Sequence, residues 1–194
     1  NIARPRQAVP IDVDLVEVVD TAIAFLSEKL GRREVTVERD YAATPIVRGD
    51  RDKLQQLFLN LFLNAIDAMP DGGQLRIAVR ISAAREIEVT VSDTGTGMDD
   101  EQRQRIFDPF FTTKSVGKGT GLGLSIVYGI VRQSDAHISV SSEVGLGTTF
   151  RVFLPRAEAE AQVIGDTGAE KLPEGTEHIL LVEDDPSVRR LSKE

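Results

Sequence analysis

From residue 53 to residue 69 the chain is apolar in nearly every helical direction, with Leu54, Leu57, Phe58, Leu61, Phe62, Ala65 and Ala68 on one side and Leu59, Leu63 and Ile66 on another. A helix with so little polar surface has to be buried, and the fold must be built around it. One narrow polar stripe remains. At about 100° per residue, Lys53, Gln56, Asn60, Asn64 and Asp67 fall within a wedge of roughly 80°. Buried amides without partners cost roughly 1–3 kcal/mol each, so this stripe faces either solvent through a slot or a polar ligand. Solvated edges usually carry Glu, Lys and Arg, whereas asparagine is a poor helix former, which favours the ligand.

Glycine is concentrated in two further segments. Gly117-Lys118-Gly119-Thr120-Gly121-Leu122-Gly123 runs into an apolar helical stretch, and together with Asp93-Thr94-Gly95-Thr96-Gly97 it holds six of the 16 glycines. Glycine lets backbone amides close around phosphate oxygens, and a helix beginning at Thr120 would turn its N-terminal N–H groups toward an anion. A nucleotide is the ligand these loops suggest.

Composition narrows the class. At 194 residues with 41% apolar residues the chain can bury a real core. A formal charge of −8 argues against a protein that coats nucleic acid or an anionic membrane, and leaves basic groups as placed features. With no cysteine there is no disulfide, thiolate metal site or cysteine nucleophile, which suits a reducing compartment. No stretch approaches the roughly 20 apolar residues that span a bilayer, so a cytoplasmic location without membrane contact is expected.

The order of elements follows from periodicity. Residues 1–13 read as a connector, and the spacing of Leu15, Val18, Val19, Ala22, Ile23 and Leu26 predicts a helix ending near Gly31. Residues 34–40 alternate, 45–48 are extended, and Asp50 is placed to cap the apolar helix. Residues 74–82 and 86–92 form a hairpin, 99–106 a short helix, 107–119 a long loop and 120–134 a helix. Strands at 137–142 and 148–154 follow, separated by a turn. Helices and strands mix without strict alternation. This favours an α/β (α+β) two-layer sandwich with a mainly antiparallel sheet over a doubly wound parallel one.

The residue types then assign chemistry. An asparagine amide oxygen is a neutral hard ligand suited to Mg²⁺, and Asn64 takes that role, with Asn60 one turn earlier on the same face. Asp93, at a strand end, is suited to accept a hydrogen bond from an exocyclic amine such as adenine N6, although Asp-x-Gly is also ordinary turn chemistry. The loop Phe107-Asp108-Pro109-Phe110-Phe111-Thr112-Thr113-Lys114 holds three of the eight phenylalanines. Flanked by Lys114 and Lys118, it reads as a lid, with Lys114 available to a γ-phosphate; the plainer reading is a loop anchored by its aromatics.

In order and spacing these segments resemble the ATP-binding catalytic domain of sensor histidine kinases, within the superfamily shared with gyrase, Hsp90 and MutL. Asn60-Leu61-Phe62-Leu63-Asn64-Ala65 is similar to its N box, Asp93-Thr94-Gly95-Thr96-Gly97-Met98 to G1, 107–114 to the F box and 117–123 to G2. The resemblance implies a Bergerat-type sandwich covered by helices on one face, binding ATP or ADP with Mg²⁺. The expected nucleotide site comprises Asn60, Asn64, Asp67, Asp93, Gly95, Gly97, Phe107, Lys114, Lys118, Gly119, Thr120, Gly121, Leu122 and Gly123, with Asn60, Asn64 and Lys114 serving catalysis. Hydrolysing members of the superfamily carry a glutamate base where this chain has Asn60. An amide cannot deprotonate water, so the resemblance favours transfer to another nucleophile over hydrolysis. A binding module without transfer and a self-sufficient ATPase are the alternatives.

The resemblance also implies partners. The family's phosphoacceptor histidine lies on a dimerisation domain, and the two histidines here, His137 and His178, read as strand residues. Residues 14–155 are the expected catalytic domain and 156–177 an acidic linker. Residues 178–194 resemble the first strand and acidic pair, Asp184 and Asp185, of a receiver domain, which implies a hybrid kinase. Tyr128 and Arg132, one helical turn apart, are a candidate second site for a planar ligand such as a regulatory nucleotide.

Overall fold

The computed structural model describes residues 10–42, 45–82, 86–113 and 119–157. Seven strands and five helices occur among them: β1 (Ile11–Asp14), α1 (Leu15–Phe25), α2 (Ser27–Arg32), β2 (Val35–Tyr41), β3 (Ile46–Gly49), α3 (Arg51–Ala68), β4 (Gly73–Ile81), β5 (Ile87–Asp93), α4 (Asp100–Arg105), α5 (Gly123–Gln133), β6 (His137–Glu143) and β7 (Gly147–Leu154). Five strands form one sheet in the order β2-β4-β5-β7-β6. The β2–β4 pair is parallel and the rest antiparallel, the mixed arrangement expected. β1 and β3 make a separate two-stranded ribbon.

Period-two alternation sorts the sheet's faces. Leu75, Ile77 and Val79, then Ile87, Val89 and Val91, then Phe150, Val152 and Leu154 all point into the core. Cross-strand ion pairs occupy the opposite face: Arg76 with Glu38 at 3.1 Å, Arg151 with Glu88 at 3.7 Å, and Arg80 with Asp40. The buried face packs against α3, whose Leu57, Phe58, Leu61, Phe62 and Ile66 are completely buried. α1 and α5 flank α3, which explains why α3 is apolar nearly all round.

The cap expected at Asp50 is present, and Asp99 caps α4 as well. Asp50 accepts from the Asp52 and Lys53 amides at 3.0 and 3.2 Å, and Asp99 accepts from Gln102 at 2.8 Å. Two helix boundaries differ from expectation. The first helix breaks at Leu26 into α1 and α2. The helix expected from Thr120 begins only at Gly123, because Gly121 adopts φ +65°, a left-handed conformation outside any α-helix, and gives its carbonyl to the Phe110 amide at 2.9 Å. The turn at 83–85, residues 1–9 and residues 158–194, with His178, Asp184 and Asp185, lie outside the described residues.

Candidate functional site

A cleft of about 410 Å³, within the size range of small-molecule sites, opens between α3 and the loops that follow β5 and precede α5. α3 forms its floor with Asn60, Leu63, Asn64, Asp67 and Ala68. The rest of the polar stripe does other work, since the Lys53 ammonium donates to the Gln133 amide oxygen at 3.0 Å and ties α3 to α5.

One end of the cleft is built from amides. Asn60 and Asn64 project from successive turns of α3 toward Gly123, where an added Cβ would lie 3.6 Å from Asn60 Oδ1 and 3.7 Å from Asn64 Nδ2. Asn64 Nδ2 is buried and has no hydrogen-bond partner within the described protein. An orphaned amide in an otherwise well-satisfied interior marks the place where a polar ligand completes the bonding. Gly119, Thr120 and Gly121 continue this wall.

Asp93 forms the other end. It is only 8% exposed, and its Oδ1 accepts from the Gly95 amide at 2.9 Å and the Thr148 amide at 3.3 Å. Burial pushes its pKa above the usual carboxylate value, and those two amides pull it back down. Both of these bonds fall on Oδ1, which leaves Oδ2 as the acceptor for a ligand. Gly95 lies beneath the cleft: a Cβ there would come within 2.6 Å of the Ala68 carbonyl oxygen, so the turn after Asp93 packs directly on α3. Met98, Ile106 and Phe150 supply apolar surface beside Asp93, as expected for a flat ring with one polar edge.

Of the residues singled out from sequence, Asn60, Asn64, Asp67, Asp93, Gly97, Gly119, Thr120, Gly121 and Gly123 come together around this cleft. Gly95, Phe107 and Leu122 do not line it, Gly95 because it packs beneath it on Ala68. Phe107 packs on Tyr128 with ring centres 5.5 Å apart, and Phe111, held under the Arg105 guanidinium, takes the lining position instead. Tyr128 and Arg132 stand outside the cleft, and Lys114 and Lys118 lie outside the described residues. His137 is exposed on the edge strand β6 and stacks on Phe153 at 4.3 Å.

Among the lining residues that escaped sequence reasoning, two are bonded to predicted ones. Thr148 stands directly opposite Asp93 in the β5–β7 register, a pairing no local pattern reveals. Lys29 reaches the cleft from α2 and pairs with Asp67 at 2.6 Å, yet in sequence it is an ordinary lysine of an amphipathic segment.

A nucleotide-sized cleft between a helical layer and a mixed sheet, with an amide end and a carboxylate end, defines a nucleotide-binding sandwich of the Bergerat type. The chain belongs to the histidine kinase-, DNA gyrase B- and HSP90-like ATPase family, whose pattern matches residues 49–158. It is 39% identical to the sensor kinase CckA of Brucella abortus over 93% of this chain and 21% of that protein. It is 37% identical to the sensor histidine kinase ZraS of Klebsiella oxytoca over 80% of this chain and 33% of that one. The chain thus spans between a fifth and a third of the length of these relatives. Among solved structures, the mycobacterial sensor histidine kinase MprB superposes with a TM-score of 0.68 at 27% identity, covering 76% of this chain and 98% of that one.

Proposed function

We propose that this chain is the catalytic, ATP-binding part of a hybrid sensor histidine kinase, transferring the γ-phosphoryl group of ATP to a histidine on a dimerisation domain of the same parent protein. The observation that carries the reading is the orphaned Asn64 amide at one end of the cleft, with the buried Asp93 carboxylate at the other. That polarity matches a nucleotide whose base donates from an exocyclic amine to Asp93 and whose phosphate oxygens accept from the Asn64 amide nitrogen.

In this reading Asp93 Oδ2 accepts from adenine N6, while Met98, Ile106 and Phe150 cover the ring. The donor set fits Mg²⁺, for Asn64 offers a neutral hard oxygen and Asn60 a second amide one turn away to hold a coordinated water. An ion held there would neutralise phosphate charge during transfer. Gly119, Gly121 and Gly123 bring backbone amides toward the phosphates, and Lys114 and Lys118 add positive charge from the lid. The acceptor imidazole nitrogen bonds to the γ-phosphorus as the bond to the bridging oxygen breaks, and ADP leaves with the electron pair. Asn60 cannot take a proton from water, so the site holds ATP for that imidazole instead of hydrolysing it.

The expected boundaries tighten, because residues 11–13 belong to β1 and Arg156 and Ala157 bond to β3; residues 1–10 then connect to the dimerisation domain, 158–177 are a linker and 178–194 open a receiver domain. The setting is the cytoplasm in two-component phosphorelay signalling, and among the described residues no helix is long and apolar enough to cross a membrane. The test is to mix this chain with labelled ATP, Mg²⁺ and the separately prepared dimerisation domain. Label on the acceptor histidine with little free phosphate is the expected result. Tight ATP binding without transfer would reduce the chain to a binding module, and rapid phosphate release would overturn the argument from Asn60.

A further inference from the structure

We infer that Lys29 and Asp67 form a ribose-reading pair that makes this site selective for ribonucleotides over deoxyribonucleotides. The inference rests on the nucleotide reading above and adds a specificity element to it. Both residues line the cleft, with Lys29 Nζ 2.6 Å from Asp67 Oδ1, and Lys29 is the only cation among the described lining residues.

Position along α3 argues for the sugar. The amide end is marked by Asn60 and Asn64 against Gly123. The carboxylate end is marked by Ala68, whose carbonyl accepts from the Thr96 amide at 3.0 Å in the turn that follows Asp93. At about 1.5 Å per residue, Asp67 lies roughly 4.5 Å beyond Asn64 toward that turn. A nucleotide laid between the two ends therefore presents its sugar beside Asp67.

The chemistry agrees. An ionised carboxylate offers about four lone-pair sites, so the pairing of Asp67 with Lys29 does not preclude its accepting from a ribose hydroxyl as well. The Lys29 ammonium, with three donors, has protons left for a ribose oxygen. Lys29 also makes a carboxylate tolerable beside a polyanion, since at 2.6 Å its charge largely cancels that of Asp67. A pair that only stapled α2 to α3 would contribute little at a partly exposed position and would not distinguish sugars.

The experiment is calorimetric titration of the 194-residue chain with Mg²⁺ and ADP, 2′-deoxy-ADP or 3′-deoxy-ADP, for the wild type and for Lys29→Met, Lys29→Arg and Asp67→Asn. ADP should bind at least about tenfold tighter than one deoxy analogue, the scale of a hydrogen bond to a charged group. Lys29→Met and Asp67→Asn should bring that ratio within about twofold of unity, and Lys29→Arg should retain most of it. Equal binding of ADP and both analogues by the wild type overturns the pair while leaving the nucleotide reading intact. So does discrimination that survives both variants, or a Lys29→Met loss of equal size for ADP and both deoxy analogues, which would make Lys29 a phosphate contact. Failure of all three ligands to bind overturns the nucleotide reading itself.

Discussion

Asp93 is held in a state the fold does not favour. Its carboxylate is buried, two amides compensate for only part of its lost hydration, and its pKa is raised above the ordinary value of 3.8. Because the folded protein holds that proton more tightly than the unfolded chain, this group's contribution to stability is full below the unfolded pKa. It is lost as the pH climbs through the folded value, and at neutral pH the charge is a standing cost. Asp93→Asn keeps an oxygen for the Gly95 and Thr148 amides and removes the charge. Denaturant unfolding across the range from pH 3.8 upward should show the variant losing less stability than the wild type as pH rises, and being at least as stable at pH 7. Its affinity for ADP should nevertheless fall roughly 10- to 100-fold, the value of a hydrogen bond to a charged group. A variant that binds ADP as well as the wild type would remove Asp93 from adenine recognition. Improved stability with lost binding is what separates a functional carboxylate from a structural one.

α3 carries both the core and the site, and its two faces respond differently to substitution. Leu57→Ala removes a completely buried side chain and should cost about 2.7–5 kcal/mol, whereas Asp50→Ala removes a cap worth about 1 kcal/mol. Neither touches the cleft, so both should lower Tm while the fraction still folded binds ADP normally. Gly121→Ala should do the opposite. A Cβ there would lie 2.4 Å from the Phe110 carbonyl carbon, and φ is +65°, so the joint between lid and phosphate loop must shift. The joint lies apart from the main core, so Tm should change by only a few degrees while ADP affinity falls at least tenfold. Binding titration beside a thermal melt separates the two cases. These contrasts also show why α3 was legible in advance. Its apolar faces and its Asn60–Asn64 stripe are local patterns, and Asp50 is a local cap. The start of α5 was misjudged because Gly121's conformation answers to Phe110, eleven residues earlier in the chain. Lys29 and Thr148 were invisible for the same kind of reason: only the pairing of α2 with α3, and of β5 with β7, brings them to the cleft.

At the scale of the whole chain, the boundary of the folding unit is set by hydrogen bonding more than by composition. The sheet's last strand, β7, ends at Leu154, and the sequence alone suggests that the ordered domain closes at Pro155. Arg156, however, bridges Val47 of β3, and the Ala157 amide donates to the Ile46 carbonyl at 3.1 Å. Those contacts anchor the β1–β3 ribbon, and the Leu15 amide, bonded to the Pro45 carbonyl at 3.2 Å, links the ribbon to the start of α1. A chain ending at residue 157 should therefore match the 194-residue protein in Tm and in ADP affinity. A chain ending at residue 154 loses the Ala157 bond, worth about 0.5–1.5 kcal/mol, together with the Arg156 pairing to β3, and should melt several degrees lower. None of the ribbon's residues lines the cleft, so saturating ADP should raise Tm of all three chains alike. At a free concentration of 100 Kd the expected stabilisation is about 2.7 kcal/mol. If the shorter chain melts with the others, the Arg156 pairing and the Ala157 bond are ornamental. If its ADP-induced shift is smaller, the ribbon supports α1 and the cleft, and the folding unit and the binding unit are one.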